Sequence, residues 1–126
     1  MKNPNDSFLK GRFRSLGFAL KRMWFLLTTE DSIKVQISLA FLMIIAGFYF
    51  DLSAIEWMIQ LLAIGLVLAA ESLNTAVEKL SDFVHPDYHE KIGFIKDISA
   101  GAPSFAAIIS LVIAGIIYVP KILLLF

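Results

Sequence analysis

Three apolar stretches set the limits on what this chain can become: Val35 to Phe50, Ile55 to about Val77, and Ile98 to Val119 with an apolar tail reaching Phe126. Crossing about 30 Å of hydrocarbon takes about 20 helical residues, and only the third stretch reaches that length without help from polar residues. The first two are therefore predicted to continue as helix beyond their apolar segments. With 58% hydrophobic and 17% charged residues in a chain of 126, the composition lies outside the usual soluble range and reads as one integral-membrane domain. The expected architecture is all-α, with transmembrane helices over 33–50, 55–83 and 97–120. The linker Asp51-Leu52-Ser53-Ala54 is short enough for a helical hairpin. Three crossings put the two termini on opposite faces.

The formal net charge is zero and argues for no particular partner; no nucleic acid is expected. The distribution is far from even. Ten of the eleven Lys and Arg lie before Val35 or between Lys79 and Lys96, whereas the 51–56 connection carries only Asp51 and Glu56. The positive-inside rule then predicts a cytoplasmic N-terminus and a cytoplasmic second connection. Tyr49, Trp57 and Tyr118 fall near the expected outer interface, where amphipathic aromatics favour the headgroup layer. The first thirty residues are too charged for a cleavable secretory signal, and the absence of cysteine excludes disulfides and thiolate metal sites.

Ahead of the first span, Phe13, Leu16, Leu20, Trp24 and Leu27 recur at helical spacing, with Lys10, Arg14 and Lys21 on an adjacent face. This predicts an interfacial amphipathic helix over 7–30, lying on the inner membrane surface. In the third span Ala102, Ala106, Ser110 and Ala114 repeat every fourth residue, a small-residue face suited to close helix approach within the chain or between copies. Pro103 is expected in the first turns of that helix, where a missing amide matters least. At His85-Pro86 the second span is expected to end.

The end of the second span carries charge where a membrane helix should be greasiest. On a helix turning about 100° per residue, Glu71, Asn74, Thr75, Glu78 and Asp82 lie at roughly 0°, 300°, 40°, 340° and 20°, one polar stripe running to the cytoplasmic edge. A carboxylate at bilayer depth costs at least a few kcal/mol, roughly 2.5–3.5 on insertion scales, so it needs a compensating use. Interhelical hydrogen bonding would account for Asn74 and Thr75. It does not account for three like charges on one face. A proton or cation pathway is one use of such a stripe; the other is a divalent-cation site at the water edge with a deeper carboxylate as proton acceptor. Glu30, Asp31, Asp87, His89, Glu90, Lys96 and Asp97 flank the stripe on the same side. Glu30 is the hard oxygen type that magnesium uses, and Lys96 can neutralise phosphate oxygens. A glycine-rich phosphate loop and the histidine or cysteine spacing of a zinc site are both missing from the sequence.

The run Glu71-x-x-Asn74-Thr75-Ala76-Val77-Glu78-x-x-x-Asp82, followed by Tyr88-His89-Glu90 and Lys96-Asp97, with Glu30 ahead of the first span, resembles the small prokaryotic diacylglycerol kinase family, which includes the related undecaprenol kinases. The resemblance covers nearly the whole chain. It implies a homotrimeric, three-span enzyme of the bacterial cytoplasmic (inner) membrane with composite sites on the cytoplasmic face. It also implies transfer of the γ-phosphate of magnesium ATP to a lipid hydroxyl, diacylglycerol giving phosphatidic acid or, as the alternative, undecaprenol giving undecaprenyl phosphate. By the same resemblance Glu71 is the general base facing the lipid, Asn74 positions the reacting groups, and Glu30 with Glu78 carries the metal-bridged phosphates. Lys96 and Asp97 contact the nucleotide, and Asp87 with His89 lies in the nucleotide-binding loop. Three positions depart from the family pattern. Ser81 stands where an apolar residue usually precedes the motif aspartate, Pro103 replaces an aliphatic residue, and Phe18 stands where some members have tyrosine.

Overall fold

A computed structural model describes residues 3–126 as four helices, α1 (Phe8–Thr29), α2 (Asp31–Tyr49), α3 (Ala54–Val84) and α4 (Glu90–Leu123), with no strand among the described residues. Helices α2, α3 and α4 are each long and apolar enough to cross a bilayer. The chain is a multi-pass membrane protein.

Helix α1 starts at Ser7, whose side chain accepts from the Lys10 amide at 3.3 Å and satisfies one of the orphan donors of the first turn. None of its residues is buried. Side chains on the expected apolar stripe, such as Phe13 and Trp24, are exposed, and so are Phe8, Phe18 and Met23 away from it. A single extended residue, Glu30 (φ −95, ψ 115), ends α1 and caps α2.

The α2–α3 hairpin forms where the linker predicted it, for local reasons. Asp51 takes the left-handed conformation (φ 54), which a short polar side chain tolerates better than most. Leu52 then turns inward, 6% exposed, against Ile117 and Tyr118 of α4. Ser53 and Glu56 close a reciprocal capping box, Ser53 Oγ accepting from the Glu56 amide at 3.2 Å and Glu56 Oε1 from the Ser53 amide at 3.0 Å. Gly47 leaves room for Trp57, since a Cβ there would stand 2.6 Å from the indole ring. Lys121 near the end of α4 pairs with Glu56 at 3.3 Å and ties the third span to the same end.

Helix α4 is longer than the 97–120 segment expected from hydropathy. It starts at Glu90 because His89 caps it, Nδ1 accepting from the Lys91 amide at 3.1 Å. Pro103 is consequently not in the first turns but well inside the helix and buried, where its missing amide takes away the partner of the Ser99 carbonyl. The small-residue stripe is largely spent within the chain: Ala106 is buried and Ser110 and Ala114 are half-buried, while Ala102 stays exposed. Helices α3 and α4 form the main interface, with α2 packed on α3 and α1 joined to α2.

Toward the hairpin end one polar knot crosses all three spans. Gln60 Nε2 donates to the Met43 carbonyl at 3.1 Å, and the Tyr118 hydroxyl lies 2.5 Å from Gln60 Oε1 and 3.1 Å from the same carbonyl. Gln60 and Tyr118 are 5% and 7% exposed. Tyr118, expected in the headgroup layer, is therefore turned into the bundle, because its hydroxyl finds partners there. Tyr49 is exposed. An apolar groove of about 300 Å³ runs inward from this knot between α2, α3 and α4, lined by Ala40, Met43, Gln60, Val67 and Ser110 among others.

Candidate functional site

The last four turns of α3 carry the polar stripe as one face, and its burial is graded. Asn74 and Thr75 are 8% and 4% exposed, Glu71 is half-buried, and Glu78 and Asp82 reach the surface. Asn74 Nδ2 donates to Glu78 Oε1 at 3.2 Å, one helical turn away. That bond fixes the amide orientation and leaves Asn74 Oδ1 buried with no partner in the chain. Ser81 is buried at 6% exposure on the side of α3 that meets the bundle, so the small hydroxyl stands where an apolar group would otherwise pack.

Two ion pairs bring the flanking groups to this end of α3. Glu30 Oε1 lies 3.2 Å from Lys79 Nζ, joining the α1–α2 break to the helix that carries Glu78. Lys96 Nζ is paired with Asp82 Oδ1. Because α4 starts at Glu90, Lys96 lies on its second turn rather than at its start, and this offset is what brings the ammonium level with Asp82.

The α3–α4 turn is built by histidine. His85 Nδ1 is 2.7 Å from the Asp87 carbonyl, so it is the donor there, whereas His89 Nδ1 is the acceptor of the α4 cap. The two rings meet edge-on at 5.1 Å. A shallow pocket of about 130 Å³ opens between them, lined by Asp82, Asp87, His89 and Lys96 together with Tyr88 and Ile92. The structure thus gathers three of the expected nucleotide residues, Asp87, His89 and Lys96, at one mouth. Asp97 is exposed and does not line it. Glu30 is paired with Lys79, the residue that follows Glu78, and among the described residues no group of three or more His, Asp or Glu is arranged to hold a metal.

Two residues at the site escaped the sequence reading. Lys79 follows Glu78 directly, at roughly 80° on the wheel used above and so at the edge of the stripe; nothing in the spacing shows that it meets Glu30. In the sequence His85 marks only the end of the second span, whereas its bond to the Asp87 carbonyl shapes the turn.

Residues 17–118 match the family model described as prokaryotic diacylglycerol kinase. The chain is 37% identical over 109 residues to an undecaprenol kinase of Bacillus subtilis, covering 86% of this chain and 89% of the relative. It is 30% identical over 110 residues to a diacylglycerol kinase of Synechocystis (86% and 63%) and 24% identical over 112 residues to the diacylglycerol kinase of Escherichia coli K12 (89% and 91%). The matched span runs from within α1 to the knot at Tyr118 and includes every acid, amide and lysine of the stripe and its flanks. The chain belongs to the prokaryotic diacylglycerol kinase family and is a lipid kinase.

Proposed function

We propose that this protein transfers the γ-phosphoryl group of magnesium ATP to the hydroxyl of a membrane lipid at the cytoplasmic face of the bacterial inner membrane. The observation that carries this reading is the graded stripe on α3, a half-buried Glu71 followed at one-turn spacing by the fixed Asn74–Glu78 pair and the exposed Asp82–Lys96 pair. Depth in the bilayer sorts their roles. Glu71 sits where a lipid hydroxyl can reach it, whereas Glu78, Asp82 and Lys96 sit where a soluble nucleotide can.

In the reaction Glu71 takes the hydroxyl proton, the lipid oxygen forms its bond to the γ-phosphorus, and the bond to the bridging oxygen breaks to release ADP. Such transfers depend mainly on positioning and charge neutralisation. Asn74 holds Glu78 in one orientation, and Lys96 meets the phosphate charge from α4, with Asp97, Asp87 and His89 bordering the nucleotide. Magnesium, when bound, neutralises the triphosphate, and Glu30 and Glu78 would hold it. The donor set fits that ion: magnesium takes one or two carboxylates and completes its shell with phosphate oxygens and water, and the unpartnered Asn74 Oδ1 beside Glu78 is another hard oxygen. The same proposal includes assembly into a homotrimer with composite sites, α1 lying along the membrane surface. The basic N-terminal segment supports the cytoplasmic orientation.

The higher identity to an undecaprenol kinase over nearly its full length puts undecaprenol ahead of diacylglycerol, reversing the order expected from the family's name. Diacylglycerol is the second reading, favoured by the Synechocystis relative. Purified protein given magnesium ATP and each lipid side by side decides between them; a preference for diacylglycerol would overturn the first. Glu71→Gln should abolish phosphorylation of either lipid while the oligomer persists, and unchanged turnover would remove Glu71 from its role.

A further inference from the structure

We infer that Lys79 is a positioning residue that competes with the divalent cation for Glu30 and thereby sets how much magnesium the enzyme requires. The inference rests on the proposed placement of the metal at Glu30 and Glu78.

Glu30 is the N-cap of α2, a position where a short side chain such as Ser or Asp would bond the helix's first amides. It makes no such bond. Its carboxylate, 22% exposed, is instead directed at Lys79 Nζ, 3.2 Å away on another helix. The lysine is aimed from a second side as well: its ammonium stands 5.9 Å from the centroid of the Phe25 ring on α1, a cation–π distance. Two contacts from the α1–α2 joint thus direct the ammonium of the residue adjacent to Glu78 onto the other proposed metal carboxylate.

A monovalent ammonium and a divalent cation cannot both take the same carboxylate oxygen at contact distance. A metal taking Oε1 of Glu30 must displace Lys79, and one taking Oε2 must tolerate the lysine's positive charge nearby. Both effects weaken metal binding. The Lys79 side chain is 58% exposed, and pairs of that kind contribute little, so the competition amounts to about two- to fivefold in metal affinity. Of the other charges flanking the pair, Asp82 is paired with Lys96. Asp31 is occupied by Lys34 at 3.6 Å.

The test titrates Mn2+ alone into the full-length protein in zwitterionic nanodiscs, following the free-ion electron paramagnetic resonance signal. Lys79→Met should tighten Mn2+ binding about two- to fivefold, and Lys79→Arg, which keeps the charge, should stay near the parent. Glu30→Gln should weaken binding. If Glu30→Gln weakens binding but Lys79→Met leaves it unchanged or weaker, the competition is overturned and the metal placement stands. If Glu30→Gln has no effect, the placement itself fails. The parallel readout is the magnesium concentration at half-maximal phosphorylation, which should fall in Lys79→Met.

Discussion

Replacing Tyr118 by Phe should destabilise the bundle more than replacing Tyr118 and Gln60 together. The reason lies in who is left unpaired. Among the described residues the Tyr118 hydroxyl is the donor to Gln60 Oε1, at 2.5 Å, while Gln60 Nε2 keeps its bond to the Met43 carbonyl at 3.1 Å. Tyr118→Phe therefore strands a carbonyl oxygen on a residue that is 5% exposed, at a cost of about 1–3 kcal/mol. Gln60→Leu strands much less, because the Tyr118 hydroxyl still has the Met43 carbonyl at 3.1 Å; roughly 0.6 kcal/mol is the usual worth of an interhelical hydrogen bond in lipid. The double variant removes donor and acceptor together and exposes no orphan, so it should recover part of the Tyr118→Phe loss, with a coupling of about 1–2 kcal/mol. Reversible unfolding of the full chain in mixed micelles, driven by SDS and followed by Trp fluorescence, measures all three. Additive losses, or a double variant weaker than Tyr118→Phe, would refute the reasoning and reduce the knot to independent contacts.

Three further outcomes follow from the same structure. Gly47→Ala forces a methyl against the Trp57 indole, itself backed by Phe48 at a centroid distance of 4.9 Å, and should cost about 1–3 kcal/mol in the same unfolding assay; adding Trp57→Phe should return most of it. Ser53→Ala removes half of the capping box and should cost about 1 kcal/mol, with phosphorylation rates retained. Lys96→Met should raise KM for ATP tenfold or more, since a hydrogen bond to a charged group contributes about 1.5–3 kcal/mol, and steady-state kinetics at saturating lipid checks it.

The parts of the fold legible in the sequence were those encoded within a few residues. Asp51 to Ser53 read as a hairpin because a turn needs only local chemistry, and the stripe from Glu71 to Asp82 was legible because helical periodicity alone places it. The start of α4 was not, since hydropathy sees where a helix becomes greasy and not where it begins; the His89 cap hides inside a charged stretch. The place of Pro103 inside α4 depends on that same start. Gln60 passed unnoticed as one polar residue in an apolar run, and its partners Met43 and Tyr118 are distant in the chain. The Glu30–Lys79 pair is invisible for the same reason: periodicity describes one helix at a time, whereas an ion pair between two elements depends on how they dock.

One residue, Glu30, separates α1 from α2. A joint of that length has only its own φ and ψ as soft torsions, so α1 cannot swing against the first span without rotating the residue whose carboxylate faces Lys79. The lever arm is the full 22 residues of α1, roughly 33 Å at 1.5 Å per residue. A small change in the tilt of that arm is delivered at its pivot as a turn of the Glu30 side chain. The orientation of α1 and the Glu30–Lys79 ion pair are thus coupled through a single Cα.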